Sequence, residues 1–115
     1  MLFRSGGHPS LDTTAWAQAL ALPQGVVSTG SSFARTPEEL AEIVASGAVA
    51  KEMEAAAQAW IAATARVPFF AMKAITNLLD EAAASEEQFP ANLAVATQAL
   101  AVQVERLVAL LGQTA

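Results

Sequence analysis

Ala48-Val49-Ala50-Lys51-Glu52-Met53-Glu54-Ala55-Ala56-Ala57 is the stretch on which the fold class turns. Its first three residues open a short apolar strand, and from Met53-Glu54 an alanine-rich helix continues to about Ala65. A strand feeding directly into a helix is the unit of layered α/β sheets, whose helices cover both faces of mostly parallel strands. The residues upstream repeat the alternation. Thr36-Pro37-Glu38-Glu39 predicts a helix start, with Thr36 as N-cap, Pro37 at the first helical position and acids in the first turn. That helix should run to about Ala45 and end near Gly47. Before it, Gly25-Val26-Val27-Ser28-Thr29-Gly30 reads as a short buried strand closed by glycine. Earlier still, Asp12 or Thr13 caps an alanine-rich helix that reaches Leu22 and is stopped by Pro23-Gln24-Gly25, while residues 1–10 read as loop.

Downstream, Val67–Thr76 predicts a third strand, with Pro68 tolerable at its beginning. Phe89, Leu93, Ala96, Leu100, Val104, Leu107 and Leu111 then fall at alternating steps of four and three. They form one apolar stripe on a last helix, opened by Ser85-Glu86-Glu87. No internal repeat or linker-like composition divides the chain, so residues 1–115 are read as one domain. Three short strands make a thin sheet, whereas parallel sheets ordinarily have several strands and both faces covered. The pattern therefore predicts part of a larger three-layer α/β/α domain, with a short, mostly parallel or mixed sheet flanked by helices.

Apolar residues make up 54% of the chain without glycine, above the usual ~45–50% that includes it. Much of the excess is alanine, which points to close helix packing rather than a bulky aromatic core. A net charge of −5 and six scattered Lys and Arg leave no basic stripe for a nucleic-acid partner. The absence of cysteine excludes disulfides, thiol nucleophiles and Cys-ligated metals. His8 stands alone in a Gly-Gly-His-Pro loop, so no metal site is expected, and no cofactor. The apolar runs at Val67–Ala74 and Val26–Val27 fall short of the ~20 residues a spanning helix needs, and residues 1–7 lack the apolar region of a secretory signal. The expectations are no membrane partner, a cytoplasmic home, and a small ligand read by a pocket.

Ligands in open α/β sheets gather at the carboxyl ends of the strands. Three segments bring polar or aromatic residues there: Ser28-Thr29-Gly30-Ser31-Ser32-Phe33, Lys51-Glu52-Met53-Glu54, and Thr76-Asn77-Leu78-Leu79-Asp80. An aromatic plate, a carboxylate pair and an amide are the parts of a nucleoside pocket. Each part also has a structural alternative. Glu54 can be a helix-start carboxylate favoured by the dipole, Met53 a core residue, Phe33 a packing residue, and Asn77 a cap for the following turn. Trp16 and Trp60 read as packing residues, Lys73 as a face-switching or edge residue, and Glu86 and Glu87 as a helix cap. No Ser-His-Asp set or Walker-type phosphate loop is present.

In order and spacing, from about Val26 onward, these segments resemble the nucleoside phosphorylase superfamily, and in particular its 5′-methylthioadenosine/S-adenosylhomocysteine nucleosidases. Glu52-Met53-Glu54-Ala55-Ala56-Ala57 is similar to the family's Met-Glu motif. Val67-Pro68-Phe69-Phe70 and Lys73-Ala74-Ile75-Thr76-Asn77-Leu78-Leu79-Asp80 are similar to its following strand and Ser/Thr-Asp segment, in the wording of the plant-type branch. Ser28–Phe33 resembles its adenine-side Gly-Asp-x-Phe loop, and Glu87–Leu111 its last helix.

The resemblance implies a purine nucleoside as the small-molecule partner. It implies that Phe33 stacks on the base, Met53 floors the ribose, Glu54 accepts from the 2′ and 3′ hydroxyls, and Glu52 assists from the side. At Asn77 the family carries an aspartate that protonates N7 of the departing adenine. An amide can hydrogen-bond there but cannot supply the proton, forgoing general-acid assistance of ~10²–10⁴-fold. Some purine phosphorylases resemble this chain in using asparagine, which favours 6-oxopurines. Asp80 matches the family's second acid, which is not the proton donor. The family's N-terminal half, with its water-activating glutamate and glycine-rich loop, has no counterpart in these residues. Two functions follow from different classes. One is a nucleosidase-family chain binding base and ribose for N-glycosidic cleavage; the other is a catalytically silent nucleoside-binding or dimerisation module. Half a sheet leaves a strand edge and apolar helix faces uncovered, so self-association into a homo-oligomer, a dimer, is expected.

Overall fold

The computed structural model describes residues 10–31, 36–78 and 85–113, without the side chains of residues 85–88. The chain falls into two compact units, Met1–Ala71 and Met72–Ala115. Five elements belong to the first: α1 (Thr14–Leu20), β1 (Val26–Thr29), α2 (Pro37–Ala45), β2 (Ala48–Glu52) and α3 (Ala55–Thr64). The two strands pair in parallel, with α2 as their crossover. The class is α/β, as the alternation of strands and helices implies.

Local chemistry sets the helix ends. Thr36 is extended and its hydroxyl oxygen accepts the Glu39 N–H at 3.1 Å, with Pro37 leading the first turn of α2. After α2, Gly47 takes φ +76°, a left-handed conformation that costs glycine little. Ahead of α1, Asp12 Oδ1 accepts from the Thr14 hydroxyl at 2.6 Å and from its N–H at 3.0 Å. These bonds hold the Asp12 carboxyl below its usual range. The helix stops at Leu20, two residues before the expected Leu22, because Ala21 turns left-handed (φ 54°) and the Leu22 N–H closes on Ala17 O at 2.9 Å. Arg66 (φ 56°) ends α3 in the same manner, with the Val67 N–H on Ala62 O at 2.8 Å.

Side chains on a strand alternate between its two faces. Val27 on β1 packs with Ala55 and Ala59 of α3, and Ala50 of β2 joins them. Alanine at both contacts lets the α3 backbone lie close to the sheet. Lys51 projects to the opposite face, where its Nζ meets Glu39 Oε1 of α2 at 2.6 Å. Each face of the two-stranded sheet is thus covered by one helix, which is the three-layer arrangement in miniature. The register is not uniform. Val26 pairs with Ala48 but Val27 with Ala50, so Val49 is left out of the pairing and stands 72% exposed. Gly25 makes room for it, since a Cβ there would lie 2.2 Å from Val49 Cγ2.

The third strand expected over Val67–Thr76 does not form among the described residues. Phe69 O accepts the Leu11 N–H at 2.7 Å, Phe69 packs against the Val27 cluster, and the Phe70 ring stands 5.3 Å from that of Trp16. That bond is not part of a ladder among the described residues, and Pro68 has no N–H to offer one. The aromatic composition reports a half-buried extended segment rather than a paired one. Trp60, expected to pack, is 63% exposed on α3.

In the second unit, Asn92 Nδ2 donates to Thr76 O at 2.6 Å. The helix α4 (Ser85–Gln113) runs 29 residues, about 43 Å at the usual rise. Of its expected stripe, Ala96 and Leu107 are buried, Phe89, Leu100 and Leu111 are half-buried, and Leu93 and Val104 are exposed. The expectation that no segment reaches the length of a membrane span needs correcting. Phe89–Gln113, which holds an 18-residue stretch of mean hydropathy 1.4, is long and apolar enough by length and composition to cross one. Its apolarity is spread over alanines and broken by Glu105 and Arg106, so no single run of large residues announces it.

Candidate functional site

The strand ends of the first unit carry the densest polar arrangement. Thr29 and Glu52 end β1 and β2 as register partners, and the Gly30 N–H continues the pairing onto Glu52 O at 2.9 Å. On the α3 face the Thr29 hydroxyl donates to Glu52 Oε1 and accepts the Ala56 N–H at 3.1 Å. Glu52 Oε2 accepts the N–H groups of Glu54 at 2.8 Å and Ala55 at 2.7 Å. The first N–H groups of a helix lack intrahelical partners and carry its positive end. Here a half-buried carboxylate and a hydroxyl from the sheet take three in succession.

Between the strand and α3 stand Met53 and Glu54, both exposed. Glu54 occupies the N-cap position, yet its side chain makes no capping bond; its Oε2 lies 3.3 Å from the Met53 N–H instead. Met53, 43% exposed, is not a core residue. The amides at the start of α3 are held by Glu52, while Glu54 stands exposed at the N-cap position, where its reading as a helix-start carboxylate also puts it. The placement follows from the strand's alternation: Glu52, still within β2, presents its carboxylate to α3, and the bend after it turns the next two side chains outward.

On the other face, the Lys51 side chain is 7% exposed beside Glu39. Its hydrogen bond, and less so its charge, hold the Glu39 carboxyl below the usual range against the opposing effect of desolvation. Among the described residues, no group of three or more His, Asp or Glu is placed to hold a metal ion.

The structure brings Glu52, Met53 and Glu54 into one turn. Asn77 is half-buried in the second unit, next to Thr76, whose carbonyl Asn92 holds. Phe33, Asp80 and His8 lie outside the described residues, as do the side chains of Glu86 and Glu87. Sequence reasoning missed the linkage of Thr29 to Glu52, whose signal was a hydroxyl at the last position of a strand, and it missed Asn92. A separate, open cavity of about 530 Å³ lies along α3, lined by Ala57, Gln58, Ile61, Ala62, Ala65 and Val67. It is almost wholly apolar and offers no carboxylate, which sets it apart from the strand-end turn.

The family model described as Phosphorylase superfamily matches residues 9–109, running through both compact units. The 5′-methylthioadenosine nucleosidase of Arabidopsis thaliana is 34% identical over 99 residues, covering 86% of this chain and 37% of that protein. A crystal structure of an MTA/SAH nucleosidase superposes with a TM-score of 0.88 at 30% identity, over 93% of this chain and 44% of the other. The apo form of the Arabidopsis thaliana 5′-methylthioadenosine nucleosidase gives 0.86 at 31% identity, over 91% of this chain and 43% of its own. The chain therefore spans about two fifths of the length of the relatives it matches.

Proposed function

The chain belongs to the phosphorylase superfamily, and from its likeness to the nucleosidases we propose that the Glu52–Glu54 turn is the ribose side of a purine-nucleoside site. The nucleoside class is 5′-methylthioadenosine or S-adenosylhomocysteine, and the reaction served is cleavage of the N-glycosidic bond. The observation that carries this reading is the outward display of Met53 and Glu54 at a strand's carboxyl end, where the helix start is already capped by another residue.

In this reading Glu54 accepts from both ribose hydroxyls, a geometry suited to a carboxylate. As the bond to the base breaks, positive charge grows at the anomeric carbon, and a fixed carboxylate nearby stabilises it. Met53 supplies the apolar floor, Phe33 the plate for the base, and Asn77 a hydrogen bond to N7 without protonating it. No residue of this turn is placed as the base for an attacking water, so cleavage draws that group from elsewhere. Calorimetric titration of the purified chain with 5′-methylthioadenosine and with adenine tests binding, and an assay for free adenine tests turnover. The absence of both heat and adenine release would overturn the proposal.

Asn77 favours a second reading, a nucleoside-binding module of the same fold that does not itself cleave; heat without adenine release supports it. One family model spanning both units supports treating residues 1–115 as part of one domain. The proposal includes a homo-oligomer formed through apolar surface such as Trp60, Ile61 and Val67, which are 63%, 68% and 56% exposed. A compact monomer by light scattering would contradict it. A cytoplasmic home is also proposed, and recovery of the chain in the membrane fraction would overturn it.

A further inference from the structure

We propose that Thr29 and Glu52 are a positioning pair for the carboxylate of Glu54, setting it through the backbone of the turn and not by touching the nucleoside. The inference rests on the nucleoside reading above. It goes beyond that reading by giving Thr29 a role and by moving Glu52 from the ligand to the frame that holds the ligand's partner.

A two-residue bend between a strand and a helix has few restraints of its own, and Met53 and Glu54 are both exposed. The restraint comes from beneath. The Glu54 N–H is held by Glu52 Oε2 at 2.8 Å, the Ala55 N–H by the same oxygen at 2.7 Å, and the Ala56 N–H by Thr29 Oγ1 at 3.1 Å. All three bonds run to side chains rooted in the paired strands, so the residue bearing the ribose-binding carboxylate is tied to the sheet through its own amide. Thr29 suits this place because one hydroxyl serves in both directions, donating to Glu52 Oε1 while accepting from Ala56. Valine has the same shape and can do neither. The helix cannot relax the clamp by moving outward, because Ala55 and Ala59, 0% and 3% exposed, press it onto Val27.

Charge supports the same division of roles. Two carboxylates two residues apart repel each other, and amides at the positive end of a helix absorb one of those charges. Glu52 takes the amides of Glu54 and Ala55 at that end, while Glu54, accepting the N–H of Met53, faces outward.

The test uses the full chain with Thr29→Val, Thr29→Ser, Glu52→Gln and Glu54→Ala. Thr29→Val should weaken 5′-methylthioadenosine binding about tenfold, leave adenine affinity unchanged, and be rescued by Thr29→Ser. In the Glu54→Ala background Thr29→Val should have no further effect, because it acts through that carboxylate. Equal loss for nucleoside and free base, or an undiminished effect without Glu54, would overturn the proposal. So would a Glu52→Gln variant that loses the nucleoside while Thr29→Val keeps it, since Glu52 would then touch the ligand. Amide exchange measured by NMR separates this inference from the reading it rests on. Protected Glu54, Ala55 and Ala56 amides in a wild-type chain that binds no nucleoside refute the nucleoside reading and with it the role, leaving the clamp as structure. Unprotected amides in a chain that does bind refute the clamp alone.

Discussion

The ten-residue α3 is fixed at its start by Glu52 and Thr29 and along its side by two buried alanines. Among the described side chains of the 29-residue α4, Ala96 and Leu107 are buried and many valines are exposed, among them Val95, Val102 and Val108. Both helices are rich in alanine, so composition does not separate them. What separates them is the kind of contact. A side chain bonded to the first amides fixes a helix end to within a hydrogen-bond length. An apolar stripe favours a rotation about the axis but leaves position along it less defined. The candidate site stands on the helix whose end is fixed.

The sharpest way to break this contrast is at the core under α3. Val27→Ala removes two methylene-sized groups from a residue 1% exposed and should cost roughly 2–3 kcal/mol in urea unfolding. Val95→Ala on α4, at 71% exposure, should stay within about 0.5 kcal/mol. Similar losses would mean that the helices are held alike. Next, Ala59→Leu should overpack the α3 contact by about 1–3 kcal/mol, while Ala101→Leu on an exposed face of α4 should be near neutral by the same measurement. Asn92→Ala tests a polar tie of α4, and losing the bond to Thr76 should cost about 0.5–1.5 kcal/mol. An effect as large as that of Val27→Ala would make the second unit as dependent on one polar contact as α3 is on its start.

The smallest effect concerns pH. Because Glu39 titrates below its usual range when hydrogen-bonded to Lys51, its stabilising contribution is present above the ordinary glutamate pKa. It is lost as pH falls through the lowered one. Glu39→Gln should therefore lower the melting temperature slightly at neutral pH and flatten its fall in acid. An acid limb unchanged by the substitution would show that the bridge adds nothing.

How much of this was legible in the sequence depended on whether the signal was local. Thr36-Pro37 marked the start of α2, because capping needs only four consecutive residues. The strand at Val26 was found for the same reason. At β2 the start at Ala48–Ala50 was plain, but the end of the strand was left open between there and Met53, and Lys51 and Glu52 complete it. Their polarity reads as loop until Ser28 and Thr29 are seen as their partners. Val67–Thr76 failed in the opposite sense, since its composition suits a strand but pairing is a property of two segments. The family was visible in the motif, as was the position of Met53-Glu54 at the end of the second strand. The linkage of Glu52 to Thr29 was not, being 23 residues distant in sequence and dependent on a register that no local pattern specifies.

That register has one irregular step, at Val49, and the step decides the polarity of the site. Ala48 and Ala50 pair with consecutive residues of β1, so every residue of β2 after Val49 is advanced by one. Were the ladder regular from Val26 onward, Thr29 would stand level with Lys51, and Glu52 would turn to the α2 side of the sheet. The amino end of α3, already positive, would then confront an ammonium group. One skipped residue thus works as a polarity selector: it exchanges a cation for an anion at that helix end without any change in which residues the chain contains.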